Sequence, residues 1–431
     1  MTPTTHTAAR RALRRRATLV LALQLVVTLG CERTVDRLLD VTTPSRLGES
    51  QFLVPENASL LVASAVADFE CAYGAYVVAS GLAANELVDA SQTASRFSYD
   101  RRDVLPGDAH YSTFNCENIG VYTPLSTARH TTDQALRALE GWSDAQVPNR
   151  QRLIATAAAY AGYSLLLLGE GFCSAAIDLG PELQSAQLID SAEARFTRAI
   201  AAAQASNDQN MLNLALVGRA RARLDRGNRA GAAEDAARVP VTFVLNATAD
   251  NNAARRQNRV FAQNNASTGG VSVAPAYRAL TVGGQPDPRV RATNVGRLAA
   301  DQVTQLWNQQ KYAALTTPIP IATGVEAQLI LAEARGGAEA VTIVNQLRAR
   351  AGVALPALTA AEASAIATTV FEERARELWL QGTRWYDLRR GQLPLQPASG
   401  TAYPKAGSYG AQRCWPLPDV ERAANPNLGA V

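Results

Sequence analysis

The chain is poor in lysine, histidine and aromatic rings. Of its 431 residues only Lys311 and Lys405 are lysines, three are histidines, and Phe, Trp and Tyr together make up 6%. His6, His110 and His130 stand too far apart to suggest a metal site, and there is no CxxC. The signatures HExxH, GxSxG, P-loop and GxGxxG are all missing. The sequence therefore gives no basis for a metal, a cofactor or motif-borne catalysis. Positive charge is also scarcer than the net +4 suggests. Five arginines fall within the first 30 residues, and without them acids outnumber bases by one. A near-neutral chain has no electrostatic case for binding nucleic acid.

What is present is helix-forming. Apolar residues make up 47% and charged residues 19%, as in a globular chain, with Ala and Leu abundant. Arg10, Arg11 and Arg14–Arg16 precede a thirteen-residue apolar run, ATLVLALQLVVTL, and then Gly30-Cys31. This pattern is a secretory signal, too short for a spanning helix. The small residue before Cys31 marks that cysteine as a lipidation site, although Thr28 stands where Leu is preferred. Several acyl chains on Cys31 would anchor the protein stably, at ~0.8 kcal/mol per buried CH₂. Export also makes the other four cysteines disulfide candidates: Cys71, Cys116, Cys173 and Cys414. Four cysteines allow three pairings. Cys71–Cys116 with Cys173–Cys414 is favoured because the first pair brackets one local unit.

Residues 31–56 read as a tether. Long apolar runs fill 57–91, with Asn57 placed to cap a helix. Residues 92–120 read as loop, and a helix is expected from about 124 to 141. A helical array follows. RQRLIATAAAYAGYSLLLLGEGFC ends one long helix at Gly169 and Gly171. Ala192-x3-Phe196-x2-Ala199 has the small–large–small spacing of tetratricopeptide helices, and Ala220 stands twelve residues before Ala232. Residues 241–320 break this pattern with Asn, Gln, Gly and Pro, and a helix pair returns at 326–352. Long structured loops on a helical frame are where binding sites usually sit.

The richest stretch is ERARELWLQGTRWYDLRRG, residues 373–391. Glu373 with Glu377, or Glu86 with Asp89, could in principle form a glycosidase pair. Carboxylates at such helical spacings more often pair with arginine, as Glu372 can with Arg376. Tyr99, Tyr111, Tyr277 and Trp307 lie in or near irregular segments, with Asn85, Asp89 and Arg101 as polar partners. Sugar rings stack on aromatics and bond such groups, so these seven residues are the candidate ligand contacts.

Three motifs occur in order: VNQLRARAGV, the 373–391 stretch, and WPLPDVERAANPNL. Together they resemble the C-terminal half of the SusD/RagB family. Leu347 stands in place of the usual Val, Gln381 in place of Glu before Gly382, and Trp415 in place of Tyr. The resemblance implies an all-α, SusD-like fold with tetratricopeptide-like repeats and long irregular insertions. It implies a signal peptide (1–30), a lipid-anchored tether (31–56), an N-terminal helical region (57–240), an irregular candidate ligand region (241–320) and a C-terminal SusD-like region (321–431). It further implies a non-catalytic outer-membrane lipoprotein, facing the cell exterior, that binds a nutrient such as a glycan. The implied partner is a SusC-like TonB-dependent transporter. The alternative is an envelope adaptor whose repeats bind only protein. Arg384, Asp387 and Trp385 then belong to the scaffold, with Asp387 or Glu377 as the expected partner of Arg384.

Overall fold

The computed structural model describes residues 52–265 and 269–428. Cys31, the leader and most of the tether lie outside these residues. Ten helices form the frame: α1 Ala58–Ala83, α2 Tyr122–Gly141, α3 Arg150–Gly171, α4 Ser185–Ala205, α5 Gln209–Asp225, α6 Arg229–Ala236, α7 Gly324–Arg335, α8 Gly337–Ala349, α9 Ile366–Glu377 and α10 Arg384–Arg390. Their starts are set by local chemistry. Gln184 and Gln187 form a reciprocal capping box on α4. Asp208, Asn228 and Thr323 each accept a backbone N–H in the first turn of α5, α6 and α7. Asn57 stands at the start of α1, but its side chain makes no capping hydrogen bond, contrary to the sequence expectation.

The helices pack as a consecutive array: α2 on α3, α3 on α4, α4 on α5, α5 on α6, α6 on α7, and α7 on both α8 and α9. Ala192, Phe196, Ala199, Ala220 and Ala232 are all fully buried. Phe196 shows why the small–large spacing works. Its ring lies between Gly162 of α3 and Gly218 of α5, where an added Cβ would come within 2.6 Å and 2.4 Å of it. The aromatic knob of α4 fits only because both neighbouring helices lack a side chain there. The apolar helices α1 and α3 are long enough to cross a membrane, yet each is mostly buried in this array.

The irregular regions contain ten short strands: β1 Leu87–Asp89, β2 Ser174–Ala176, β3 Glu182–Gln184, β4 Val244–Ala247, β5 Val271–Val273, β6 Thr281–Val282, β7 Gln285–Pro286, β8 Ala292–Leu298, β9 Gln305–Gln309 and β10 Ile319–Thr323. Among the described residues they form two-stranded antiparallel ribbons: β1–β5, β2–β3, β4–β10, β6–β7 and β8–β9. The β1–β5 ribbon ties the end of α1 to the 241–320 excursion, with Leu87 opposite Val273 and Asp89 opposite Val271.

Residues 373–391 form two helices and a turn rather than one helix. Helix α9 stops at Glu377, Leu380 and Gly382 take left-handed φ of 55° and 80°, and α10 begins at Arg384. Gly382 serves twice. It accepts the positive φ, and its bare Cα lies where a Cβ would press on Tyr76 of α1 at 3.2 Å. The turn carbonyls are held by distant donors: Tyr73 Oη to Gln381 O at 3.0 Å, Tyr312 Oη to Leu380 O at 2.9 Å, and Lys311 Nζ to Trp379 O. Trp385 is buried, donates to Gly171 O at 3.4 Å and stacks on Trp415. Trp415 also meets Tyr76, Tyr99 and Phe172 edge-on. Disulfides join Cys71 to Cys116 and Cys173 to Cys414.

The charges of this stretch are spent on one another. Arg289 contacts Glu373 at 2.6 Å, Glu377 at 3.1 Å and Asp287 at 2.8 Å. Arg348 takes the other Glu373 oxygen at 2.7 Å, and Arg350 takes Glu377. Asp387 lies between Arg374 at 3.0 Å and Arg390 at 2.6 Å. Burial alone would raise its carboxyl, but these two guanidiniums hold it well below the usual range. Two expected pairings therefore differ. Arg384 reaches neither Asp387 nor Glu377, whose oxygens are already taken; it donates to Phe371 O at 3.3 Å and faces Glu372 at 3.8 Å. Arg376 pairs with Asp287 at 3.1 Å rather than with Glu372.

Candidate functional site

A cleft of about 670 Å³ opens where four segments meet. The first runs from the end of α1 through β1 to the one-turn helix Phe97–Arg101, and supplies Asn85, Val88, Asp89 and Asp100. The second, after β5, supplies Pro275, Ala276 and Arg278. The third, entering β9, supplies Val303, Thr304 and Gln305. The fourth is the loop after α10, from Gln396 to Tyr409. Distant segments converge here because the β1–β5 ribbon joins the first two and backbone bonds join the fourth to the first.

Arg102 makes that second junction. It is buried with φ 57°, and its guanidinium donates to Pro397 O at 2.5 Å, Gln396 O at 3.3 Å and Gly410 O at 3.4 Å. Its plane also covers the Tyr409 ring at 5.0 Å. The loop closes on itself as a small hairpin, with Tyr409 N donating to Thr401 O at 2.9 Å and Tyr403 N to Gly407 O at 2.9 Å. Tyr403 and Tyr409 meet edge to face at its base.

The cleft floor is acidic but largely neutralised. Lys405 Nζ reaches Asp89 at 2.9 Å and Asp301 at 3.2 Å, and Arg96 stands 3.5 Å from the other Asp89 oxygen. Asp100 accepts Asp89 N at 2.8 Å and Tyr403 Oη at 3.2 Å. Burial, with the Asp89 charge beside it, pushes its carboxyl up to about 7. Exposed Pro275, Val303 and Pro404 supply apolar surface at the mouth. This mixture of apolar surface with a few placed polar groups suits a small-molecule site.

The seven candidate contacts divide. Asn85 and Asp89 line the cleft. Arg101 stands behind it, bonded to Asp103 at 2.6 Å and placed over the Tyr403 ring. Trp307 is half-buried beneath Arg278, a cleft residue, whose guanidinium lies 5.3 Å from its ring centre. Tyr277 is buried, stacks on Trp379 and borders a smaller adjoining cavity of about 200 Å³. Tyr99 and Tyr111 are corrections. Both are core residues, with hydroxyls donated to Ile119 O and to Pro106 O and Pro416 O. Their segment looked like loop because its helices are single turns, and a Tyr in an irregular segment can face inward as readily as out. His110 is buried among rings, and burial pushes its imidazole down to about 4, so it is neutral near pH 7.

Sequence reasoning missed Arg278, Val303 and the entire 396–409 wall. The fourth segment did carry a signal, since TAYPKAGSYG places two Tyr and the second of only two lysines among Gly and Pro.

A second, wider groove of about 870 Å³ lies between α2 and residues 176–179 and 420–421. Its cations Arg129, His130 and Arg137 already gather on Asp178, at 2.9, 3.3 and 3.8 Å. Glu86, one of the glycosidase candidates, is buried and accepts Leu380 N at 3.1 Å; burial raises its carboxyl to about 7.

Residues 325–428 match the SusD family model, and the whole described fold is shared with solved SusD proteins. A SusD superfamily protein from Bacteroides vulgatus ATCC 8482 superposes with a TM-score of 0.66 at 16% identity, over 87% of this chain and 98% of that one. Residues 325–428 thus carry the SusD family pattern, and the described fold is SusD-like. A laminarin-binding SusD-like protein superposes at 0.62 with 15% identity, over 87% and 98% of the two chains. Surface glycan-binding protein A from Bacteroides thetaiotaomicron, solved with laminarihexaose, gives 0.64 at 14% identity over 86% and 98%. At these identities the superpositions establish the SusD fold and no more. A comparison with curated protein sequences finds no match. The family match spans α7 to the C-terminal segment, so it includes the ion-paired hub and the fourth cleft wall.

Proposed function

We propose that this SusD-like protein is a non-catalytic surface lipoprotein that captures a glycan in the cleft and passes it to a SusC-like TonB-dependent transporter. The observation that carries the reading is the cleft itself. It is lined by exposed proline and valine, amides and a few charged groups, and it is built on a rigid helical frame. A laminarin-binding protein and a laminarihexaose complex of the same fold support the ligand class. Binding would proceed by shape and hydrogen bonds. The carboxylates that could cut glycosidic bonds are engaged elsewhere, Glu373 and Glu377 by arginines and Glu86 by a backbone amide. Lipid on Cys31 would hold the protein at the outer membrane, and the helical array would face the transporter.

Three measurements test this. The full-length protein should bind oligosaccharides on a glycan array, and binding to none of them ends the glycan reading. A large β-barrel transporter should co-purify with the protein from membranes, and its absence ends the delivery reading. Cys31→Ser should release the protein from the membrane, and continued retention rejects the lipid anchor.

A further inference from the structure

The cations of the cleft are not equivalent. Lys405 is bound by Asp89 and Asp301. Arg101 is bound by Asp103, and Arg102 is fixed by three carbonyls. Arg278 differs from all of them. Among the described residues its one hydrogen bond is from Nε to Val273 O at 2.9 Å. Trp307 supports one face of its guanidinium at 5.3 Å. Among the described residues no carboxylate stands within ion-pair distance, and burial lowers its proton affinity. Among the described residues the two terminal nitrogens thus find no bonding partner in the cleft wall.

A half-buried guanidinium loses hydration, and the protein offers it only a ring face and one carbonyl in return. The same two supports fix its orientation. With Nε bound and one face stacked, the Nη1–Nη2 edge is held as a two-pronged donor that matches the oxygens of a carboxylate or sulfate. The other acids and bases offset one another, since Asp89 and Asp301 are matched by Lys405 and Arg96. Asp100 is bonded to a backbone amide and to Tyr403. Arg278 remains as the unmatched positive group.

We propose that the cleft selects an anionic glycan, a uronate-bearing or sulfated oligosaccharide, whose acid group docks on the Trp307-braced edge of Arg278. This rests on the glycan reading given above and narrows it. Asn85, Gln305 and Thr401, already in the walls, would serve the sugar hydroxyls beside it.

The test is a set of matched pairs measured by titration calorimetry on the full-length protein. Hexagalacturonate, an alginate hexamer and a glucuronoxylan hexamer are each compared with their carboxyl-reduced forms. A carrageenan hexamer is compared with its desulfated form. At least one acidic member should bind roughly tenfold to a hundredfold more tightly than its neutral counterpart, the range of a charged hydrogen-bonded contact. Arg278→Gln should abolish that preference, and Arg278→Lys should retain part of it. Preference within the carboxylate pairs names a uronate, and preference within the carrageenan pair names a sulfate. If neutral and acidic members bind equally, or if Arg278→Gln keeps the preference, the proposal fails while glycan capture stands. If no member binds, this proposal fails, and the glycan array decides whether glycan capture fails with it.

Discussion

The hub at residues 373–391 and the loop at 396–410 lie next to each other in sequence and use similar residues in opposite ways. In the hub, the guanidiniums of Arg289, Arg348, Arg374 and Arg390 meet carboxylates, and the Trp385 ring is enclosed. In the cleft bounded by the loop, Arg278 keeps an edge that no described residue bonds, and Val303, Pro275 and Pro404 face solvent. Richness in charges and rings therefore does not mark a binding site. What marks one is polar and apolar surface that the protein itself leaves unused.

This contrast can be broken most strongly at the hub. Trp385→Ala should cost about 4 kcal/mol, the usual cost of emptying a large buried aromatic site. Urea unfolding checks this, and glycan affinity of the fraction that still folds should stay at the wild-type value. Glu373→Gln comes next. It leaves Arg289 and Arg348 short of a charge in a buried setting, so a loss of about 3 kcal/mol is expected by the same assay. A wild-type midpoint in that variant would show that the ion network is not structural.

The third test concerns pH at the boundary between the two regions. Asp100 has a folded pKa of about 7, above its ordinary value of 3.8, because it is buried beside Asp89. The folded state thus holds a proton that the unfolded state releases first, and stability falls as pH rises from about 4 to 7. Asp100→Asn keeps an acceptor for Asp89 N and Tyr403 while removing the charge. Its stability should decline less steeply than that of the wild type across this window, measured by denaturant titration at several pH values. Glu86, also raised to about 7, contributes a slope of the same sign that remains in the variant. The smallest effect on folding is expected at the mouth. Val303 is 61% exposed, so Val303→Asp should change stability by no more than ~0.5 kcal/mol. Glycan affinity should nonetheless drop by about tenfold, the loss of roughly 1.4 kcal/mol of contact. Unchanged affinity would move the site elsewhere.

The helical frame was readable because its signals are local. Ala192, Phe196 and Ala199 declare one buried face within eight residues, and Gly336-Gly337 marks the turn between α7 and α8. The hub motif was readable for its order and its burial, but not for its partners. Asp287 and Arg289, which complete its ion network, lie more than eighty residues away in a segment that reads as irregular. The cleft was the least legible part. Asn85 and Asp89 could be named because polar residues follow an apolar helix. Arg278 looks like any other arginine until Trp307 and the absence of a nearby carboxylate are seen together. Tyr99 and Tyr111 misled because hydrogen bonds to distant carbonyls, not sequence spacing, turn them inward.

The two disulfides have a consequence for proteolysis of the chain. Cys71–Cys116 closes a covalent ring around Asn85, Asp89 and Asp100. Cys173–Cys414 closes a second ring, 241 residues in separation, around Arg278, Val303 and the whole 396–409 wall. Every segment that lines the cleft lies inside one ring or the other. A single peptide-bond cut in any of these loops leaves both ends tethered, so the nicked chain migrates as two pieces only after reduction. The cleft loops can each be clipped once without any part of the cleft being lost.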